Sequence, residues 1–153
     1  MEAELNTNAA EDEIYAMLFT RDHQAFSEAN WYAVAGDFDA ASFVGYRGGD
    51  TVQGPWTLSY PTLDAYRDDW LGQARGMLMP HPQRVVEQLA RAARIASIDL
   101  HGSVALVRKE FDGVVTAPSG DVELKWRTNY FVRRFESRWK ITGFVGYLPL
   151  EAA

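Results

Sequence analysis

The stretch from Val122 to Arg133 constrains this chain's fold more than any other. Val122, Leu124, Trp126, Thr128, Tyr130 and Val132 fall on one face of an extended segment, and Glu123, Lys125, Arg127, Asn129, Phe131 and Arg133 on the other. A period of two keeps apolar residues together only in a strand. Strands are expected near 94–100, 103–116, 121–134 and 138–147, with turns at His101-Gly102, at the APSGD stretch and at Glu136-Ser137. Consecutive hairpins of this kind make a four-stranded antiparallel meander.

The first half reads as helical. Residues 1–8 are expected as a flexible tail, followed by a single domain over 9–150. Asn8 and Glu11 have the spacing of a capping box. Ile14, Leu18, Ala25, Ala29, Tyr32 and Ala33 then recur on one face of a long helix that Gly36 would end. Asp37 is expected to cap a short second helix holding Phe38, Ala40, Ala41 and Phe43. Tyr46 to Tyr60 is glycine-rich loop with room for a short strand. Thr62 caps a third helix with Leu63, Tyr66, Trp70 and Leu71 on its buried side, and Gly76 ends it. Over 83–93 helical propensity competes with the strand that the rest of the fold would draw there, and both assignments stay open. Helices first and a meander last give an α+β class, with the helices packed on one face of the sheet.

Charge and composition remove whole function classes. Fifteen basic residues against twenty-one acidic ones leave a net charge of −6, a poor basis for neutralising phosphates. Glu87 interrupts the one local basic cluster, Arg84, Arg91 and Arg94, which reads as a solvated face and not a nucleic-acid surface. There is no cysteine, so disulfides and thiolate metal sites are excluded. Met1 to Glu13 is acidic and polar, unlike a secretory signal, and no apolar run reaches membrane-spanning length. A soluble, cytoplasmic protein without membrane association is expected. Five Trp, seven Tyr and eight Phe exceed the ordinary needs of a small core, which suits a ring-lined cavity or interface as well as an aromatic core.

The order of elements resembles a known family. An opening helix, AGDFDAASF, a glycine-rich loop, TLDAYRDDWL, IDLHGSVALV and a closing FVRRFESRWKITGFVGY are together similar to the SnoaL-like domains of the nuclear transport factor 2-like superfamily. The resemblance spans residues 12–148 and rests on order and spacing, since no single motif is specific. It implies a curved antiparallel sheet, a cone-shaped, cystatin-like roll, with an apolar pocket between sheet and helices and often a homodimer. Its members include isomerases, cyclases, dehydratases, epoxide hydrolases and non-catalytic modules, so fold alone does not choose a function.

The family's catalytic patterns are mostly absent. A ketosteroid isomerase would need a tyrosine where Ala29 stands, an aspartate where Gly54 precedes Pro55, and a second one near Asn129 or Phe131. Epoxide hydrolases carry Arg-x-Asp plus a late aspartate. Here Arg108 and Glu110 give Arg-x-Glu, which also reads as a surface ion pair, and Gly146 takes the late position. Scytalone dehydratase-like chemistry calls for inward histidines with acid partners. Asp99 beside His101 could form such a base, although turn residues are usually solvated. His23 reads as a polar helix face and His81 as loop. Neither helix-type metal-ligand spacing nor a phosphate loop nor a nucleophile elbow is present, and no metal or cofactor is expected.

The expected pocket brings Phe26, Ala29 and Tyr32 from the first helix against Asn129 and Phe131 on the sheet, with Trp56 and Trp70 closing the mouth. This assignment requires the Asn129 face of that strand to point inward. Tyr32 and Asn129 would supply its polar groups. Two functions follow. The first is a module that binds an apolar small molecule, as a homodimer. The alternative is an enzyme of the isomerase, cyclase or dehydratase type, with Tyr32 or Asp99 and His101 in the proton-transfer role. A third possibility, a purely dimerising scaffold, predicts a filled core. A carboxylate or histidine buried in the pocket would separate catalysis from binding.

Overall fold

The computed structural model describes residues 2–49, 51 and 54–150, with side chains from Asn8 onward. Six strands form one sheet in the order β2-β1-β6-β5-β4-β3. They are β1 Val44–Arg47, β2 Thr57–Tyr60, β3 Ala93–His101, β4 Val104–Ala117, β5 Gly120–Phe135 and β6 Arg138–Leu148. All neighbours pair antiparallel except β1 and β6, which run parallel. The meander β3–β6 thus forms where alternation and turn chemistry place it. Gly102, Gly120 and Glu136 carry the positive φ angles, 63°, 118° and 56°, at its three hairpins.

The helices depart further from expectation. α1, Glu2–Tyr15, begins inside the segment read as a tail, so Asn8 lies within the helix and caps nothing; Met1 lies outside the described residues. The continuous helix expected up to Gly36 is broken. α1 passes through a π-helical turn, Ala16–Arg21, into α2, Asp22–Ser27. Ala29 then takes a positive φ of 51° before the short α3, Tyr32–Ala35. No helix forms over 37–43. Instead of capping one, the Asp37 carboxylate is buried and accepts hydrogen bonds from Arg21 at 2.7 and 2.8 Å and from Arg138 at 3.0 Å. Phe38 bridges to Ile141 alongside the sheet.

α4, Leu63–Gly76, starts as read, with Thr62 Oγ1 accepting from the Ala65 N–H at 3.2 Å. The ambiguous segment resolves as α5, Pro82–Ala92. Pro82 is tolerated in the first turn, and Val85, Leu89 and Ala92 are buried on one face. All of these helices except α5 contribute to one cluster with β4, β5 and β6, including Ile14, Leu18, Trp31 and Trp70 against Val107 and Phe144. Val85 and Leu89 of α5 build a second cluster with Val115 and Leu124.

Candidate functional site

Between the two clusters lies a cavity of about 90 Å³, room for several water molecules. Its walls follow from helical and strand periodicity. Tyr66, Trp70, Gln73 and Met77 line up along one side of α4 and its end, and Leu124, Trp126, Thr128 and Tyr130 alternate inward on β5. Phe111 on β4 and Leu89 on α5 close one end, Phe144 and Tyr147 on β6 the other. α2 supplies Asp22, His23 and Phe26.

Tyr147 reaches the cavity by a break in register. Strict alternation from Phe144 would send it to the opposite face. A bulge in β6, where Gly146 and Tyr147 face the single Thr128 of β5, with Tyr147 at a φ of 57°, turns the ring inward. There its hydroxyl accepts from Gln73 Nε2 at 2.9 Å, while Arg47 stacks on the ring at 4.0 Å.

The polar centre is Asp22. Trp70 Nε1 donates to one carboxylate oxygen and Lys109 Nζ to the other, both at 3.4 Å. These bonds are long, so each oxygen keeps acceptor capacity toward the cavity. Lys109 is fully buried and also donates to the Leu18 carbonyl at 2.6 Å, within the π-helical turn. Burial holds its ammonium below the usual lysine range, and Asp22 opposes that shift. The Tyr66 and Tyr130 phenols are pushed up, first by burial, with the Asp22 charge among the further causes. Both therefore stay protonated donors at neutral pH. Burial, followed by the Lys109 charge, lowers His23 to about 2, so its imidazole is neutral.

Two of the expected pocket residues, Phe26 and Trp70, do line the cavity, their rings edge-on at 5.5 Å. The others do not meet there. Asn129 and Phe131 lie on the opposite face of β5, because Trp126, Thr128 and Tyr130 take the inward positions. Tyr32 is 92% exposed, since the break at Ala29 swings α3 away from the face it would have continued. Ala29 packs partly against the core, and Trp56 is exposed just before β2. Asp99 and His101 do pair, at 3.0 Å, but at the exposed end of β3 and not in the cavity. Glu110 pairs with Arg94 at 2.8 Å and not with Arg108. Among the described residues no group of three or more His, Asp or Glu is placed to hold a metal ion, and no helix is long and apolar enough to cross a membrane.

The residues missed had a signal. Asp22 stands on the apolar stripe that runs through Leu18 and Ala25, and Lys109 stands in the inward register of Ala105, Val107 and Phe111. A charge inside an apolar period is costly unless paired, so each implies a partner.

No protein-family model matches the sequence, and no curated protein matches it. Solved structures do. A nuclear transport factor 2-like superfamily protein from Salmonella enterica serovar Typhimurium matches with a TM-score of 0.67 at 10% identity, over 96% of each chain. A ketosteroid isomerase-like protein from Erwinia carotovora atroseptica gives 0.61 at 14% identity, over 92% of this chain and 95% of that one. A protein with a cystatin-like fold from Novosphingobium aromaticivorans gives 0.59 at 13%, over 99% and 89%. At such identities the likeness concerns architecture: this chain has the nuclear transport factor 2-like fold.

Proposed function

We propose that the cavity takes up an apolar small molecule and that Asp22 transfers a proton on it, in chemistry of the isomerase, cyclase or dehydratase type. The observation that carries this reading is the Asp22 carboxylate, facing a ring-lined chamber between two loosely bonded donors and beside two protonated phenols. A positioned carboxylate can accept a proton next to a carbonyl or hydroxyl, a contribution of about 10²–10⁴ in rate. Tyr66 and Tyr130 can donate to the oxygen on which charge then develops. Lys109, buried behind Asp22, keeps the carboxylate oriented. The likeness to a protein described as ketosteroid isomerase-like supports the reading at the level of fold.

The test is deuterium incorporation from D2O into small cyclic enones, followed by NMR. The wild-type protein is expected to exchange their acidic carbons above the buffer rate, and Asp22→Asn to lose about 100-fold or more of that excess. Enones that bind without exchange, or exchange unaffected by Asp22→Asn, would leave the coarser reading of a binding module. That reading has its own support in a lining made mostly of rings and aliphatic side chains.

We also propose a homodimer, with the outer face of the sheet as its contact. Phe131 pairs directly with Leu106 on β4 and with Gly143 on β6, and Gly143 pairs with Val44. The result is a row of exposed apolar side chains across three strands, and Val104 adds to it. Apolar surface presented by neighbouring strands suits an isologous contact with a second copy.

A further inference from the structure

His23 is not needed by the proton transfer assigned to Asp22, yet it is the most conspicuous polar group in the cavity wall. Its side chain is only 2% exposed. Neither Nδ1 nor Nε2 has a hydrogen-bond partner among the described residues. The ring is packed between Phe19, at 4.3 Å between centroids, and Phe111, at 6.3 Å. Neither ring satisfies an N–H or a bare ring nitrogen. A buried polar atom left without a partner costs about 1–3 kcal/mol, and native structures seldom keep one without a use.

We propose that His23 is the recognition point of the cavity, and that the ligand is a neutral, apolar molecule presenting a hydroxyl group to its imidazole. The proposal rests on the ligand-binding role assigned above and names the class of ligand. Three features of the site select the hydroxyl. A neutral imidazole offers one donor and one acceptor and can exchange them between tautomers. A hydroxyl is served by either nitrogen, whereas a carbonyl oxygen is served only by the one that carries hydrogen. Charge is disfavoured in both senses. Lys109 and Asp22 pair with each other at 3.4 Å, so neither charge is left over to balance an ionic ligand. The cavity wall also carries Phe26, Trp70, Leu89, Phe111 and Trp126, which suits an apolar ring.

Phenol and toluene differ by a hydroxyl against a methyl and make a matched pair of probes. Titrated into the full-length protein, phenol is expected to bind about tenfold more tightly than toluene, the worth of one buried hydrogen bond. His23→Leu should bring that ratio close to one while leaving toluene affinity in place. Tyr32→Ala, at an exposed ring outside the cavity, should preserve the ratio. In wild-type protein with 15N-labelled histidine, the His23 ring resonances should move with phenol and stay fixed with toluene, a readout that does not depend on the variants folding. Equal binding of the two probes, or a preference that survives His23→Leu without movement of those resonances, overturns the role of His23 and leaves the cavity as a binding site. Binding of neither probe overturns the cavity reading and this inference together.

Discussion

Asp22 and His23 are adjacent in sequence and meet opposite electrostatic demands. Asp22 is partly solvated and has two cationic or N–H partners, so its charge is supported. His23 is buried beside the Lys109 ammonium with no acceptor for a second proton, so the folded protein resists charging it. The unfolded chain takes that proton with the ordinary histidine midpoint of 6.5, whereas the folded chain does so only at about 2. The unfolded state therefore binds more protons across this window, and acid favours unfolding. Between pH 5.5 and 3.5, where the unfolded imidazole is protonated and the folded one is not, this one residue should remove about 1.3 kcal/mol of stability per pH unit. Urea unfolding of wild type and His23→Leu at successive pH values checks it. The leucine variant should lack this component, and parallel pH profiles for the two proteins would contradict the assignment. Lys109 admits a similar comparison. Lys109→Ala empties a buried site and strands the Leu18 carbonyl, and is expected to cost about 3 kcal/mol. Lys109→Met refills the volume with an unbranched apolar chain, but it strands the Leu18 carbonyl as well and leaves Asp22 without its cation. In the same assay it should therefore recover about half of that cost, the part owed to the cavity. Equal damage from both variants would mean that the ammonium itself supports the fold.

At the scale of elements, α5 depends on a glycine beneath it. A Cβ on Gly113 of β4 would lie 2.7 Å from Ala92 Cβ and 2.9 Å from its Cα, and a backbone atom cannot step aside as a flexible side chain can. Gly113→Ala should therefore lift the end of α5 off β4, loosen Leu89 in the cavity wall, and destabilise by about 1–3 kcal/mol. Thermal unfolding checks the cost; an unchanged midpoint would show that α5 is not seated on that strand. The same elements explain what the sequence disclosed. Strand alternation is local, so β5 and its hairpins could be read from Val122 to Phe135 alone. Which of its faces turns inward depends on the helices laid across it, and nothing local distinguishes Tyr130 from Asn129. The first helix misled for a related reason. Its apolar period runs on through Ala29 to Tyr32, but the π-helical turn at Ala16–Arg21 and the positive φ at Ala29 reset its phase. Residues beyond that break could not be placed by counting. Asp37 likewise has the composition of a helix cap, and the two arginines that claim it, Arg21 and Arg138, lie far away in sequence.

Across the whole molecule, the sheet has one face committed to helices and the cavity and another that carries Val44, Val104, Leu106 and Phe131 in the open. Strand pairing forces this outcome. Once Tyr130 and Thr128 point inward, the residues between and beyond them must point out, and Phe131 comes to lie level with Leu106 and Gly143. Gly143 adds no side chain between Phe131 and the β1 backbone: a Cβ there would fall 2.5 Å from the Val44 carbonyl oxygen. The outer face thus carries no side chain at Gly143 and is apolar along one row. An apolar strip at the centre of a sheet buries well against its own copy related by a two-fold axis, with the arginines and acids of neighbouring positions left to the rim. A charge placed in the strip would be buried twice in such a dimer, once per protomer, and would find no partner. By light scattering the wild-type chain is therefore expected to be a dimer and Phe131→Arg a monomer. Its cavity lies on the other side of the sheet, so binding of toluene should persist in the monomer. A wild-type chain that scatters as a monomer, or a Phe131→Arg chain that remains dimeric, would assign the exposed row no part in assembly.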